Sequence, residues 1–180
     1  MTDPGIAATM LSDADLHLFN EGTHQQLHQH LGAHATSVDG RPATWFGVWA
    51  PSAQSVSVIG DFAGWDEGAP LRARGASGIW EGTVEGAQPG HAYKLRIVAP
   101  DGRILEKADP FAAYAEVAPK TASIIWDLSY EWSDQDWLAE RGGRLANDAP
   151  ASIYEVHLGS WRRPGDDPRG FLGYRAAAPL

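Results

Sequence analysis

Hydrophobic and polar positions change their period near residue 43, and the change divides the chain. Before it, Leu27 and Leu31 stand four apart, the spacing of one helix face, and Thr23-His24-Gln25-Gln26 has the form of a capping box. The Thr23 hydroxyl can accept from the backbone amide of Gln26 while the Gln26 side chain reaches back, and Gly32 is the expected stop. The first forty residues therefore read as helical. From Ala43 onward apolar and polar residues alternate, predicting strands over Thr44 to Ala50, Ser55 to Phe62, Gly78 to Glu85, Ala92 to Ala99, Arg103 to Lys107 and Ser123 to Asp127. Turn chemistry separates them at Pro51-Ser52, Asp66-Glu67-Gly68, Gly75-Ala76-Ser77-Gly78, Pro89-Gly90 and Pro100-Asp101-Gly102. Short strands at this spacing, with no long helix between them, predict a mainly β chain built on an immunoglobulin-like antiparallel β-sandwich.

After the sandwich the pattern turns polar and acidic over Ser129 to Pro150, with a short helix expected at Asp134 to Arg141, capped by Ser133 and stopped by Gly142-Gly143. Strand character resumes over Ala151 to Leu158. A lone strand arriving after a linker leaves its backbone groups unmet, so it reads as the start of a further domain. The expected organisation is a helical extension over 1–40, a sandwich over 41–128, a linker over 129–150 and an incomplete segment over 151–180.

Composition narrows the function classes. At 180 residues and 43% hydrophobic, the chain can bury one core with a small appendage, but not a catalytic barrel of the usual ~250 residues. A net charge of -9 excludes a nucleic-acid partner, because no basic stripe is present to neutralise phosphates. The absence of cysteine removes disulfides and thiolate metal sites and suits a reducing cytoplasm. No run approaches ~18 apolar residues, so no membrane span is expected, and Met1 to Met10 lacks a secretory signature. His24, His28, His30 and His34 fall on the expected helix, and their i, i+4 pairs have metal-holding spacing. No carboxylate or cysteine accompanies them in sequence and an exposed polar face explains them equally, so no metal is expected.

The stretch Gly60 to Trp65, G-D-F-A-G-W, follows the alternating strand Ser55-Val56-Ser57-Val58-Ile59 in a chain with eight tryptophans. An aromatic plate held past a strand end offers the C–H face of a sugar ring a flat apolar partner, while a neighbouring amine or amide can bond its hydroxyls. The same position also suits a tryptophan that only packs a corner of the fold.

Five segments in order carry a family resemblance: Leu18 to His34 (L-F-N-E-G-T-H-Q-Q-L-H-Q-H-L-G-A-H), Val48 to Ser52 (V-W-A-P-S), Gly60 to Trp65, Lys107 to Tyr114 (K-A-D-P-F-A-A-Y) and Ser152 to Arg163 (S-I-Y-E-V-H-L-G-S-W-R-R). Together they resemble the N-terminal part of bacterial 1,4-α-glucan branching enzymes, and the middle resembles a family 48 carbohydrate-binding module. The resemblance implies a partner that is an α-glucan, glycogen or a maltooligosaccharide, contacted by Trp65 and by Lys94 of the Tyr93-Lys94 pair. It carries the family's later threonine and asparagine contacts onto Thr121 and Ser123. Two departures weaken the site: Ala63 stands where the family has asparagine, and Pro100-Asp101-Gly102 leads into Arg103-Ile104-Leu105 with no second aromatic. Losing one of two stacking platforms removes on the order of 1–2 kcal/mol, roughly tenfold in affinity. Weak or vestigial glucan binding is therefore expected. The structural alternative for Lys94 is a solvated strand lysine alternating outward between Tyr93 and Leu95.

Catalysis is not expected from this chain. The resemblance implies a parent that works as retaining glycosidases do, with two carboxylates on later strands of a (β/α)8 barrel. Ser152 to Leu158 resembles only the first barrel strand. Glu155 and His157 lie on it two residues apart, without a second carboxylate around a cleft, and match no catalytic motif. The tail Ala176-Ala177-Ala178-Pro179-Leu180 departs from the family's continuation, so a truncated product whose missing partner is the catalytic barrel is expected, with 151–180 poorly ordered. No cofactor is implied. The competing readings are a stand-alone glycogen-binding or interaction module and a debranching or trehalose-releasing α-glucan hydrolase; the second should lack the L-F-N-E-G-T-H segment.

Overall fold

A computed structural model describes residues 9–165 and 169–180, and the chain divides into two units, 1–129 and 130–180. Residues 1–8 of the expected helical extension and 166–168 of the expected C-terminal segment lie outside the described residues.

The first unit opens with α1 (Asp13–Glu21), started by a capping box between Ser12 and Asp15 and stopped by Gly22 in the left-handed region at φ 74°. This is a correction: the expected helix over 23–32 is a single 3₁₀ turn, Leu27–Gln29, and the Thr23-Gln26 capping box does not form. The reason is local. The Gln26 amide donates to His24 Nδ1 instead (3.1 Å), and the Thr23 hydroxyl lies over the Leu18 carbonyl at the end of α1 (3.4 Å).

Ten strands follow among the described residues: β1 (Gly32–Val38), β2 (Arg41–Trp49), β3 (Ser55–Gly60), β4 (Ala69–Pro70), β5 (Arg72–Ala73), β6 (Ile79–Glu85), β7 (Ala92–Val98), β8 (Ile104–Lys107), β9 (Tyr114–Ala115) and β10 (Ser123–Ile124). β1 replaces the end of the expected helical stretch. Asp39 and Gly40 both take positive φ (49° and 74°), the two-residue turn whose twist matches an antiparallel hairpin, and it sets Val38 opposite Arg41. One sheet runs β1-β2-β6-β5. The other runs β4-β3-β7-β10-β9, with β8 also on β7, and every pairing in both sheets is antiparallel.

Alternation explains the core. Phe46, Val48 and Val84 from the first sheet meet Val56, Val58, Tyr93, Leu95 and Ile125 from the second. Phe46 and Tyr93 sit edge to face at 5.2 Å. The buried Tyr93 hydroxyl donates to Asp109 Oδ2 (2.7 Å), so this polar tip in the core is satisfied. β2 is buried on both faces from Ala43 to Val48, because the N-terminal segment covers the outer one: Leu11 and Leu31 pack with Trp45 and Ile79. Gly47 permits the close approach, since a Cβ there would lie 2.6 Å from the His30 carbonyl oxygen.

The second unit holds α2 (Gln135–Arg144), α3 (Leu158–Trp161) and α4 (Tyr174–Ala177). α2 extends the expected 134–141 helix through Gly142 and Gly143 and carries no side-chain cap. The strand expected over Ser152 to Leu158 is absent: 151–157 has no regular structure, and Leu158 begins α3. An extended segment without a neighbouring strand has nothing to satisfy its N–H and C=O groups but water. None of the described residues in this unit is buried, and Ile153 is 94% exposed.

Candidate functional site

The site is built where β3 ends. Gly60 lies so close to β7 that a Cβ would stand 2.4 Å from the Ala92 carbonyl oxygen, so only glycine lets the strands meet there. The chain then makes a 3₁₀ turn over Asp61–Ala63 and passes through Gly64 (φ 63°) into Trp65 (φ 70°). A tryptophan in the left-handed region is strained by its Cβ and persists only where its surroundings hold it. Here the Trp65 N–H donates to the Gly60 carbonyl (3.2 Å), and the Arg96 guanidinium donates to the Trp65 and Asp66 carbonyls (3.3 and 2.9 Å). Glu106 on β8 holds that guanidinium from the other side (2.8 Å).

Asp61 joins the turn to the sheet. Its Oδ1 accepts from the Trp65 indole N–H (2.8 Å) and its Oδ2 from the Ala92 backbone N–H (2.8 Å). These donors, the Ala92 amide most of all, hold the Asp61 carboxyl below its usual range, helped by His91 and Lys120 nearby. The carboxylate therefore stays ionised and fixes both the position and the tilt of the half-buried indole.

Lys94 stands on β7 directly across from Ile59, on the outward face between the buried Tyr93 and Leu95. It is half-buried, and its ammonium makes no ion pair or hydrogen bond among the described residues. Lys94 therefore stands where β3 runs out into the turn that carries Trp65, because Gly60 and Ile59 pair with Tyr93 and Lys94. Thr121 is exposed on the loop that carries Lys120 past Asp61. Ser123 requires a correction. It is 1% exposed, and its hydroxyl accepts the Asp109 backbone N–H (2.9 Å), so it supports the Tyr93–Asp109 pair from inside and has no surface to offer a ligand.

Asp61 and Arg96 were not singled out from the sequence. Asp61 had a readable signal, standing four residues before Trp65 in the same turn, whereas Arg96 acts across strands and has none. The histidines need a second correction. His24, His28, His30 and His34 do not share a helix: His34 is on β1 with Nε2 at the Leu31 carbonyl (3.1 Å), and His28 is exposed on the 3₁₀ turn. A carboxylate does accompany two of them, because α1 brings Asp15 to His24 and His30.

The family model of carbohydrate-binding module 48 (isoamylase N-terminal domain) matches residues 30–112. The chain is 48% identical over 97% of its length to the 1,4-alpha-glucan branching enzyme GlgB of Paramagnetospirillum magneticum. It is 49% identical over 99% of its length to the enzyme of the same name from Rubrobacter xylanophilus. In both cases it spans 24% of the relative's length. Pullulanase from Bacillus acidopullulyticus superimposes with a TM-score of 0.45 at 25% identity, covering 54% of this chain and 12% of that one, a likeness too slight to bear on function.

Proposed function

This chain carries a carbohydrate-binding module 48 domain and corresponds to the N-terminal, carbohydrate-binding region of 1,4-alpha-glucan branching enzymes, and from that premise we propose that it binds α-glucan at the β3 end and scaffolds a parent branching enzyme. In that parent, a segment of α-1,4-glucan is cut and rejoined through an α-1,6 bond on a barrel to which 151–180 contributes the beginning. The setting is cytoplasmic glycogen synthesis. This part positions the polymer and performs no chemistry, and it needs no cofactor.

The observation that carries the reading is Trp65: a bulky side chain kept in a strained backbone conformation by Asp61, Arg96 and Gly60, in the turn that follows the β3 end opposite Lys94. Backbone strain at a turn held on three sides is the signature of a side chain whose placement matters. The fixed ring offers its face to the axial hydrogens of a glucose unit, and the Lys94 ammonium and Thr121 hydroxyl stand as polar partners for hydroxyls. With one aromatic in place of two, the affinity should be modest.

Glycogen co-sedimentation of the wild-type chain and of Trp65→Ala tests it. The variant should bind roughly tenfold more weakly, the loss of one stacking platform, with its circular dichroism unchanged. Equal sedimentation of both proteins would sink the reading. The completeness of the sandwich core, closed without the second unit's residues, favours one competitor: a stand-alone glycogen-binding module. The intact mass of the native protein decides between them, since the parent reading requires a species far larger than 19.4 kDa and the competitor one of that size.

A further inference from the structure

We propose that Asp15, His24 and His30 form a site for a divalent cation of the zinc type, which clips α1 to the chain on either side of the 3₁₀ turn. The three come from separate places: α1, the segment just after it, and the residue following Gln29. Their candidate ligand atoms, Asp15 Oδ1, His24 Nε2 and His30 Nε2, all lie within 4.8 Å of one another. The two nitrogens stand 3.1 and 3.6 Å from Oδ1. Ligands about 2.0–2.2 Å from a tetrahedral ion sit about 3.3–3.6 Å apart, so each nitrogen's distance to Oδ1 need change only by tenths of an ångström. Two imidazoles and one carboxylate are a donor set that suits zinc, leaving a fourth position for water.

The surroundings fit this use on two of the three ligands. His30 Nδ1 donates to the Met10 carbonyl (2.8 Å), the outer contact that fixes the tautomer and leaves the Nε2 lone pair facing Asp15. Asp15 Oδ2 accepts from the Ser12 N–H and hydroxyl (2.8 and 2.7 Å), so Oδ1 is the oxygen left to a ligand. The Ser12 bonds, above all, hold the Asp15 carboxyl down at about 2, so it is ionised at any working pH. The side chains are 6%, 21% and 19% exposed for His24, Asp15 and His30, sheltered yet open to an entering ion.

His24 is the exception, and it gives the site a signature. Its Nδ1 accepts the Gln26 N–H (3.1 Å), so without an ion its proton is on Nε2 and points at Asp15 Oδ1. When the ion binds at Nε2, that proton moves to Nδ1 and the Gln26 amide loses its acceptor. Loading therefore releases the Gln26 amide, which limits the affinity and marks the event.

Titration of the full 180-residue chain with Zn²⁺ should give one saturable equivalent, and Co²⁺ in its place should give the intense visible bands of tetrahedral coordination. His30→Gln should weaken binding by at least about tenfold, while His91→Gln should leave it unchanged. No saturable Zn²⁺ binding, or equal binding by His30→Gln, would overturn the proposal. As His30→Gln could disturb the fold, the wild-type chain supplies a second readout. Zn²⁺ should shift the His24 and His30 ring resonances and speed exchange of the Gln26 amide. Shifts confined to His17, His28 or His157 would overturn it too.

Discussion

At Asp61 and Asp109 two carboxylates of one domain respond to pH with opposite sign. The Asp61 carboxyl is held low by the Ala92 and Trp65 N–H groups, so its contribution is present above the unfolded value near 3.8 and is lost as pH falls through its lowered folded value. The turn carrying Trp65 should therefore loosen only in strong acid. Asp109 is raised by burial, against the pull of the Phe111 N–H and the Tyr93 hydroxyl. Its contribution is present below the unfolded value and is lost as pH rises through the raised one. Asp109→Asn can keep both bonds, its amide oxygen accepting from Phe111 N–H and its NH₂ donating to the Tyr93 hydroxyl. Urea midpoints at pH 4.5 and 7 should therefore differ less for Asp109→Asn than for the wild type; an equal change in both proteins would show that Asp109 is not the group responsible. Trp65 itself was legible from its motif, but the left-handed backbone that aims it was not, because that depends on Arg96, 31 residues on, donating to its carbonyl.

Strands were legible where alternation met burial. β2, β3, β6 and β7 lie where the periodicity placed them, since each has one face in the shared core. β1 was not read, although Asp39-Gly40 is a hairpin signal, because its residues 35–37 are exposed and its pattern carries little apolar alternation. β4, β5 and β9 have two residues each, too short for any period to register. The junction of β3 and β7 should be the least tolerant point for the site. Gly60→Ala would set a methyl 2.4 Å from the Ala92 carbonyl oxygen, 2.8 Å from the Phe62 ring and 3.1 Å from the Tyr93 Cα, and a turn of the ring would leave the backbone clash in place. A loss of about 1–3 kcal/mol is expected from such overpacking, together with loss of glycogen binding. A Gly60→Ala chain with the wild-type melting temperature would show that the strands can part without cost. Phe46→Ala, by contrast, should cost about 3–5 kcal/mol in denaturant unfolding through the core alone, so at temperatures where it stays folded its glycogen binding should persist.

Over the whole chain, the two units differ in what they bury. The first closes a sandwich around Phe46, Tyr93 and Leu95 and covers the outer face of β2 with its own N-terminal segment. The second exposes Tyr130, Trp132, Tyr154, Phe171 and Tyr174, each at least 69% accessible. Hydrogen exchange of the isolated chain should follow that contrast, with slow amides on β2, β3 and β7 and rapid exchange across 145–157. Strong protection of 151–157 would mean that the segment finds a partner strand. Within the chain's own letters lay the β class, the principal strands, the Gly60–Trp65 turn and the kinship with branching enzymes, because period, turn residues and motifs are local and survive without coordinates. Tertiary structure alone decided which residues meet. It buried Ser123, broke the expected histidine helix, and drew Asp15 to His24 and His30 and Asp61 to Trp65 and Ala92. Those outcomes rest on strand pairing and on the docking of the N-terminal segment across β2, where the free energy lies between residues far apart in sequence and no short-range pattern records it.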